Sequence, residues 1–187
     1  MKIHPVTSCA LAAVAVTGLT LAAPAFADPV PADDASSTSW YGSLGASQTR
    51  IDGARLGSVD ARIGTRITPH IAAELELSDG LAKDHAPKLG PDAQERLNYA
   101  AAAYGVGSVP VSSNVNLFAR VGVGENRFSR TVSGLEVKPD LVSLNYGVGA
   151  VYKVTPALDV RADYTRKSYD HRGGDADNWG LSLAHHF

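Results

Sequence analysis

Apolar and polar residues alternate along most of the chain, in segments that are separated by turn residues. In one of these segments Val142, Leu144 and Tyr146 share one face, whereas Ser143 and Asn145 share the other. The alternation recurs in eight segments, which begin near Trp40, Val59, Ile71, Glu95, Val115, Leu141, Leu158 and Asn178. Alternation over about 10 residues per segment is typical of a transmembrane β-strand. The pattern therefore predicts an all-β fold, an eight-stranded antiparallel up-and-down transmembrane β-barrel.

The turns between the predicted strands fall into two classes of length. The short turns contain a proline, which fixes φ and cannot donate to a ladder, at Thr68-Pro69, Pro110 and Thr155-Pro156. Longer polar connectors cover residues 48–57, 79–94, 127–140 and 169–177. Short turns at one rim and longer loops at the other are typical of membrane barrels whose short turns face the periplasm.

The first 27 residues have the features of a secretory signal peptide. Lys2 supplies a positive start, residues 9–23 are apolar, and Ala25-Phe26-Ala27 is an A-x-A cleavage site. Residues 28–39, rich in Pro, Ala, Asp and Ser, are expected to form a disordered lead-in, and residues 40–187 the barrel. The only cysteine, Cys9, lies in the predicted signal peptide, so neither a disulfide nor thiolate chemistry is expected in the mature chain.

Charge and hydropathy narrow the classes of partner. The net charge is −2, which gives no basic surface for nucleic acid. After the signal peptide no window of about 18 consecutive apolar residues remains, which excludes helical membrane spans. A membrane protein with this sequence must therefore cross the bilayer as a closed sheet.

Alternation alone does not decide which face of the barrel points outward, because a soluble barrel would put its apolar face inside. The polar face is crowded with small residues that suit a narrow packed lumen: Gly64, Ala72, Ala100, Ala102, Gly122, Gly124, Gly147 and Gly149. The apolar face carries aromatic residues near the strand ends, where rings settle at a bilayer interface: Trp40, Tyr152, Tyr164, Trp179 and Phe187. We therefore expect the apolar face to contact lipid.

Charged residues then point into the lumen. The predicted set is Asp60, Arg62, Arg66, Glu74, Glu76, Arg96, Arg120, Lys153, Asp159, Arg161 and Asp163. A lone charge in a confined interior is very costly, and the two signs are nearly balanced, so an ion-pair network is expected. Eight strands enclose an interior just wide enough for side chains to fill, so we expect this network to plug the barrel. The alternative is a narrow pore, in which the Glu74/Glu76 and Arg62/Arg66 clusters select ions.

The chain resembles the small outer-membrane β-barrel proteins of Gram-negative bacteria, the OmpA-like transmembrane barrel and the opacity-type "porin family" group. The resemblance rests on four tracts: Trp40-Tyr41-Gly42, residues 146–152, residues 158–164, and Gly180-Leu181-Ser182-Leu183 running to Phe187. It implies export to the outer membrane and contact with outer-membrane lipid and lipopolysaccharide. It also implies that Leu181, Leu183 and Phe187 form a C-terminal signal for the barrel-assembly machinery. Family members include structural anchors, adhesins and narrow pores, so the resemblance does not fix one activity.

No residue pattern indicates catalysis, a metal site or a cofactor. His185 and His186 point to opposite faces of a strand and cannot share an ion. Ser182 and His186 share a face but lie about 13 Å apart along the strand, too far for a nucleophile–base pair. We therefore predict a non-enzymatic barrel that contributes to envelope integrity or surface interaction. A narrow pore is the first alternative, a lipid-modifying enzyme the second, and a ligand at the long loops stays open.

Overall fold

The computed structural model describes residues 39–81, 84–85, 93–132, 135–170 and 174–187. The predicted signal peptide and residues 28–38 of the predicted lead-in lie outside them. The strands of the described chain are β1 (Trp40–Ile51), β2 (Ala54–Thr68), β3 (Ile71–Gly80), β4 (Asp84–His85), β5 (Gln94–Pro110), β6 (Val115–Val132), β7 (Leu135–Val137), β8 (Asp140–Lys153), β9 (Leu158–Tyr169) and β10 (Asp175–His186). Within the described residues there is no helix of the length and hydropathy that a membrane span requires.

Eight of the ten strands close into a barrel, and β4 and β7 are short additions at its edge. Each long strand pairs antiparallel with the long strands before and after it in the chain, and β1 pairs antiparallel with β10. The ring has no free long edge, because the first and last strands satisfy each other's backbone groups. The predicted eight-stranded up-and-down barrel is confirmed.

The two ends of the barrel differ in their turns. At the short-turn end, a side-chain hydroxyl accepts a hydrogen bond from the backbone N–H three residues on: Thr68 from Ile71 at 3.0 Å, Ser112 from Val115 at 3.1 Å and Thr155 from Leu158 at 3.0 Å. These are the proline-containing turns that the sequence predicts. At the other end, which we call the long-loop end, lie the remaining connections between strands, which follow β1, β3, β6 and β9.

Two connectors that the sequence predicts are largely strand. Residues 48–57 form a β-hairpin with a two-residue turn. The turn residues Asp52 (φ 50°) and Gly53 (φ 88°) both adopt the left-handed conformation. Over residues 127–140, β6 continues to Val132 and β7 pairs with it. The polar composition of these segments therefore indicates that they face solvent. Their backbones nevertheless continue the sheet past the apolar part of the strands.

Side-chain burial alternates along the strands as the sequence predicts, with the apolar face outward. On β3 the outward Leu75 and Leu77 are 59 % and 63 % exposed, whereas the inward Glu74 and Glu76 are 2 % and 3 % exposed. A water-soluble barrel would show the reverse distribution. The barrel therefore presents a hydrocarbon surface to its surroundings, as a bilayer protein must.

One strand departs from the predicted alternation. The register of β5 against β6 shifts between Leu97 and Tyr99, which is a β-bulge. On one side of the bulge Leu97 is buried, and on the other side Tyr99 is exposed. The sequence pattern places both on the outward face. The bulge also takes Arg96 out of the lumen, because the residues on either side of it, Glu95 and Leu97, now point inward.

Apolar residues occupy both ends of the interior. At the long-loop end they form a cluster that we call the apolar cap: Ile51, Ala54, Leu56, Ala93, Leu97, Ala100, Phe128, Tyr169 and Ala176. Nearer the short-turn end a smaller cluster contains Tyr104, Val106 and Phe118.

Candidate functional site

The centre of the lumen is a closed ring of four charged side chains, which we call the central ring: Arg62 on β2, Glu76 on β3, Arg120 on β6 and Asp163 on β9. Arg62 contacts Glu76 at 2.6 Å and Asp163 at 3.3 Å, and Arg120 contacts Glu76 at 2.9 Å and Asp163 at 2.7 Å. Each carboxylate therefore lies between two guanidinium groups. The Thr165 hydroxyl oxygen accepts a hydrogen bond from the remaining donor of Arg120, its Nε, at 3.0 Å.

A second charge cluster lies next to the central ring on the side of the short-turn end. Both terminal nitrogens of Arg161 donate to Glu74, the second at 3.1 Å, and the Tyr41 hydroxyl donates to the same carboxylate at 2.6 Å. The guanidinium of Arg161 also lies over the Phe118 ring, 4.1 Å from its centroid. The Phe118 ring thus covers the face of the Arg161 guanidinium, while the Glu74 carboxylate accepts hydrogen bonds from its edge.

The mouth at the short-turn end is partly open. His186 Nε2 lies 2.7 Å from Asp159 Oδ2 there. A cavity of about 70 Å³ separates this pair from the cluster below, with Arg66, Asn116 and Phe118 in its wall. The volume suits a few water molecules and no larger solute.

On the other side of the central ring, uncharged polar side chains line the lumen. Hydrogen bonds join Ser47 to Ser58 at 2.9 Å, Thr49 to Asn178 at 2.9 Å and Asn126 to Ser143 at 2.9 Å. Two charges are embedded in this polar layer. Asp60 accepts from Ser58 at 3.5 Å, and Lys167 donates to Asn126 at 3.4 Å.

Eight residues of the predicted lumen network are buried on the inner face: Asp60, Arg62, Glu74, Glu76, Arg120, Asp159, Arg161 and Asp163. The other three differ from the prediction. Arg66 and Lys153 lie on the inner face but at the short-turn mouth, where both are exposed to solvent. Arg96 is displaced by the bulge and donates to the backbone oxygen of Gly80 at 3.4 Å.

Sequence reasoning missed two buried charges, Lys167 and Glu95. Lys167 lies two residues after Thr165 on β9, so continuing the alternation of that strand by one more step would have found it. Glu95, which contacts Arg130 at 2.6 Å, lies beyond the bulge of β5. No signal in the residue pattern announces that bulge.

Glycines on the inner face make room for the lumen aromatics. Tyr41 stands opposite Gly64 across β1 and β2, and Phe118 stands opposite Gly149 across β6 and β8. A Cβ atom at either glycine would overlap the facing ring. The rings therefore lie against bare backbone, and this lets large side chains fit inside so narrow a barrel.

The predicted interface aromatics all lie on the outer face in two groups. Trp40, Tyr152 and Phe187 are at the short-turn end, 49 %, 53 % and 79 % exposed. Tyr164 and Trp179 lie towards the long-loop end, with ring centroids 4.7 Å apart. The residues of the predicted assembly signal are exposed as well: Leu181 and Leu183 point outward from β10, and Phe187 follows directly after it.

Beyond the aromatic rings of the long-loop end, the outer face is charged. Arg127 faces Asp140 across β6 and β8, with Nη2 2.8 Å from Oδ2, and this hydrogen bond holds the pKa of the Asp140 carboxyl below its usual value. Asp177 accepts from the Tyr164 hydroxyl at 2.6 Å and from Arg166 at 2.7 Å, and both bonds lower its pKa. Inside the long-loop end, burial raises the pKa of Glu95 despite Arg130.

The residues considered for other chemistry do not come together. His185 points outward, whereas His186 points inward to Asp159. Ser182 Oγ accepts from Arg62 at 3.2 Å and is thus tied to the central ring. Within the described residues no three His, Cys, Asp or Glu side chains are arranged to hold a metal ion.

Comparison with known proteins agrees with this architecture. Residues 11–187 match the family model described as "Outer membrane protein beta-barrel domain". No curated protein matches the chain in sequence.

Several solved structures share the fold. Neisserial surface protein A (NspA) aligns with a TM-score of 0.61 at 17% identity, covering 83% of this chain and 100% of its own. Ail of Yersinia pestis, in a complex with the heparin analogue sucrose octasulfate, aligns at 0.56 and 18% identity, covering 80% and 99%. The N-terminal β-barrel domain of Pseudomonas aeruginosa OprF aligns at 0.58 and 15% identity, covering 79% and 97%. These structures share the fold, and because the family model covers residues 11–187, the chain belongs to the outer membrane protein β-barrel domain family.

Proposed function

We propose that this protein is a non-conducting, non-enzymatic barrel that serves the outer membrane as a structural or surface component. The observation that carries the proposal is the central ring, whose four side chains are between 0% and 4% exposed. At this depth the charges are held by contacts with one another. A lumen filled in this way is a rigid plug that contributes to envelope integrity.

The geometry of the central ring supports a seal against ions. Each of its arginines contacts both carboxylates, so moving one side chain breaks two buried ion pairs at once. Breaking a buried ion pair costs about 3–5 kcal/mol, because the abandoned charge stays in a poorly polarisable interior. An ion of either sign would therefore meet a high barrier at this level.

The apolar cap supports a second seal of opposite chemistry. Ile51, Leu56, Leu97 and Phe128 are each at most 2% exposed and close the interior at the long-loop end. A hydrated ion would lose water there without gaining a polar partner. The two seals lie in series, so opening one is not expected to open the barrel.

Single-channel recording in planar bilayers tests this proposal with four proteins. They are the wild type, a ring variant (Glu76→Gln with Asp163→Asn), a cap variant (Leu97→Ala with Phe128→Ala) and their combination. We expect stable channels from the combination alone. Arg127→Gln with Asp140→Asn is the matched control, because it removes an outward pair and leaves the lumen intact.

Stable channels from the wild type would overturn the plug and favour a narrow pore. Channels from the ring variant would show that the cap does not seal, and channels from the cap variant would show the same of the ring. Folding of each variant is checked by its heat-modifiable migration in gel electrophoresis. Mass spectra of lipid A from strains with and without the gene test the non-enzymatic part of the proposal. We expect unchanged spectra, and a changed spectrum would refute that part.

We also propose that the last strand is the contact for the barrel-assembly machinery. The Phe187 side chain is 79% exposed on the outer face, and its backbone N–H donates to Trp40 where β10 meets β1. An aromatic side chain left outward at the closing seam is accessible before closure. Phe187→Ser should lower assembly into vesicles that contain the machinery, whereas spontaneous insertion into detergent should not change.

A further inference from the structure

Two arginines face each other on the outer surface of the first hairpin. Arg50 on β1 is the direct cross-strand partner of Arg55 on β2, just below the Asp52-Gly53 turn. Both side chains are exposed and point outward, since their neighbours Thr49, Ile51, Ala54 and Leu56 are buried. The Cβ atoms of such partners lie about 4.5–5.5 Å apart, so the two charges share one small area.

Two other outward arginines at this end of the barrel have acidic partners. Arg127 stands opposite Asp140 and donates to it, and Arg166 stands opposite Asp177 and donates to it. Among the described residues, no carboxylate pairs with the guanidinium of Arg50 or of Arg55. Like charges directly opposite in a sheet are destabilising, so this arrangement calls for an anion.

The acids nearest to the pair accept hydrogen bonds from donors other than the two guanidinium groups. Asp177, the partner of Arg50 on its other side, accepts from Tyr164 and Arg166, although Arg50 helps to lower its pKa. Asp84 accepts at 2.7 Å from the backbone N–H of Arg55. With respect to the residues that the structure describes, the two guanidinium groups therefore keep donors for an added anion.

The height of the pair identifies the source of the anion. Gln48, two residues before Arg50 on β1, pairs with Trp179, and Trp179 pairs with Tyr164. Arg50 thus lies about 7 Å beyond the aromatic rings that mark the bilayer interface. Below it the outer faces of β1 and β2 are apolar, with Leu44 72% and Ile63 50% exposed. A molecule bound here has its polar group at the arginines and its hydrocarbon along the strands.

We propose that Arg50 and Arg55 bind a phosphate group on the headgroup of an outer-leaflet lipid. Two guanidinium forks can each make paired hydrogen bonds to phosphate oxygens, and the anion offsets their mutual repulsion. The inference deepens the proposed structural role, because it names the lipid chemistry that would anchor the barrel in its leaflet. It does not depend on whether the lumen conducts.

Native mass spectrometry of the folded barrel released from nanodiscs tests the site. The probes are lipid A with its phosphates and lipid A from which the phosphates have been removed. We expect the wild type to retain the phosphorylated lipid at least about tenfold better than Arg50→Gln with Arg55→Gln, the loss expected when charge-assisted bonds to phosphate disappear. The control is Arg127→Gln with Lys138→Gln, which removes the same charge from other exposed positions and should behave as the wild type.

Equal retention by the wild type and the Arg50/Arg55 variant would overturn the proposal. It would also be overturned if the control lost retention equally, which indicates general charge, or if the dephosphorylated lipid were retained equally well. Displacement of the lipid by millimolar inorganic phosphate or by sucrose octasulfate would point to a soluble anion instead of a lipid.

Thermal unfolding separates binding from a structural role. In zwitterionic micelles the Arg50/Arg55 variant should unfold at the same temperature as the wild type or higher, because a repulsion has been removed. Adding phosphorylated lipid should raise the unfolding temperature of the wild type alone. A lower unfolding temperature of the variant in lipid-free micelles would refute the site. Conductance of this variant should equal that of the wild type, so failure here is distinct from failure of the plug.

Discussion

Arg120 and Asp163 join two strands that are not neighbours in the sheet. Arg120 lies on β6 and Asp163 on β9, with β8 between them, yet their side chains meet at 2.7 Å. Arg62 reaches the same carboxylate from β2, on the opposite wall. One aspartate therefore links distant parts of the barrel through its interior, in addition to the backbone ladders around its circumference.

Replacing Arg120 by methionine should destabilise the barrel strongly. The change leaves Glu76 and Asp163 with one arginine between them, and losing one partner of a buried pair typically costs about 3–5 kcal/mol. The measurement is the free energy of unfolding in urea, with the barrel in lipid vesicles. Arg127→Met is the matched control, and we expect little change from it because the Arg127–Asp140 pair is exposed. Equal losses for the two variants would contradict a structural role for the central ring.

Replacing Phe128 by alanine should loosen the apolar cap. The ring is 1% exposed and packs edge-on against Tyr169, with centroids 5.8 Å apart. Removing a buried phenyl group costs about 3–5 kcal/mol through lost burial and the cavity that remains. The same urea titration measures the loss, with Leu135→Ala, 74% exposed on β7, as the control. A cost for Phe128→Ala no larger than that of the control would show that the cap is not a packed core.

Adding a methyl group at Gly149 should destabilise, whereas adding one at Gly107 should not. Alanine at position 149 would overlap both the Phe118 ring and the backbone oxygen of Ala162, and overpacking a full interior costs about 1–3 kcal/mol. A Cβ at Gly107 meets nothing within 4 Å. Alanine there also makes the unfolded chain less flexible than glycine does, which lowers the entropy lost on folding. Unfolding free energies of the two single variants should therefore differ in sign or clearly in size. Phe118→Leu should rescue Gly149→Ala in part, and its failure to do so would place the strain elsewhere.

The Asp177 cluster should contribute stability at neutral pH and lose it in acid. Its pKa is lowered in the folded barrel by hydrogen bonds from the Tyr164 hydroxyl and the Arg166 guanidinium, with Arg50 adding a smaller effect, and partial desolvation opposes the shift. A carboxyl with a lowered folded pKa stabilises above its unfolded pKa of about 4, and the contribution disappears as pH falls through the folded value. The unfolding free energies of the wild type and of Asp177→Asn should thus differ at pH 7 and converge as the pH falls below the unfolded pKa and through the lowered folded pKa. A difference that grows in acid would contradict the assignment.

The alternation of residue types decided much of this fold in advance. On β3 the pattern places Leu75 and Leu77 in lipid and Glu74 and Glu76 in the lumen, and all four lie there. The reason is geometric: successive side chains of a strand point to opposite faces whatever their partners are. The proline turns at residues 69, 110 and 156 followed from a local constraint on φ in the same way.

Residue type could not predict where the alternation breaks or how deep a residue lies. The bulge between Leu97 and Tyr99 reverses the faces of β5, because an extra residue in one strand depends on the strand beside it. Arg66 and Arg62 share a face and a charge, yet Arg62 is buried in the central ring and Arg66 is exposed at the mouth. Depth depends on how far each strand extends against its neighbours, as the strand that replaced the predicted connector over residues 48–57 also shows.

By itself, the sequence determined the class of barrel, the outward and inward faces of its strands, and the supply of charges for its interior. These follow from period-two geometry and from the cost of burying an unpaired charge, which both act on each residue locally. Only the tertiary structure decided which charges pair, because Arg62, Glu76, Arg120 and Asp163 come from four different strands. Their meeting is a consequence of barrel closure and of the stagger between strands, which no single strand contains.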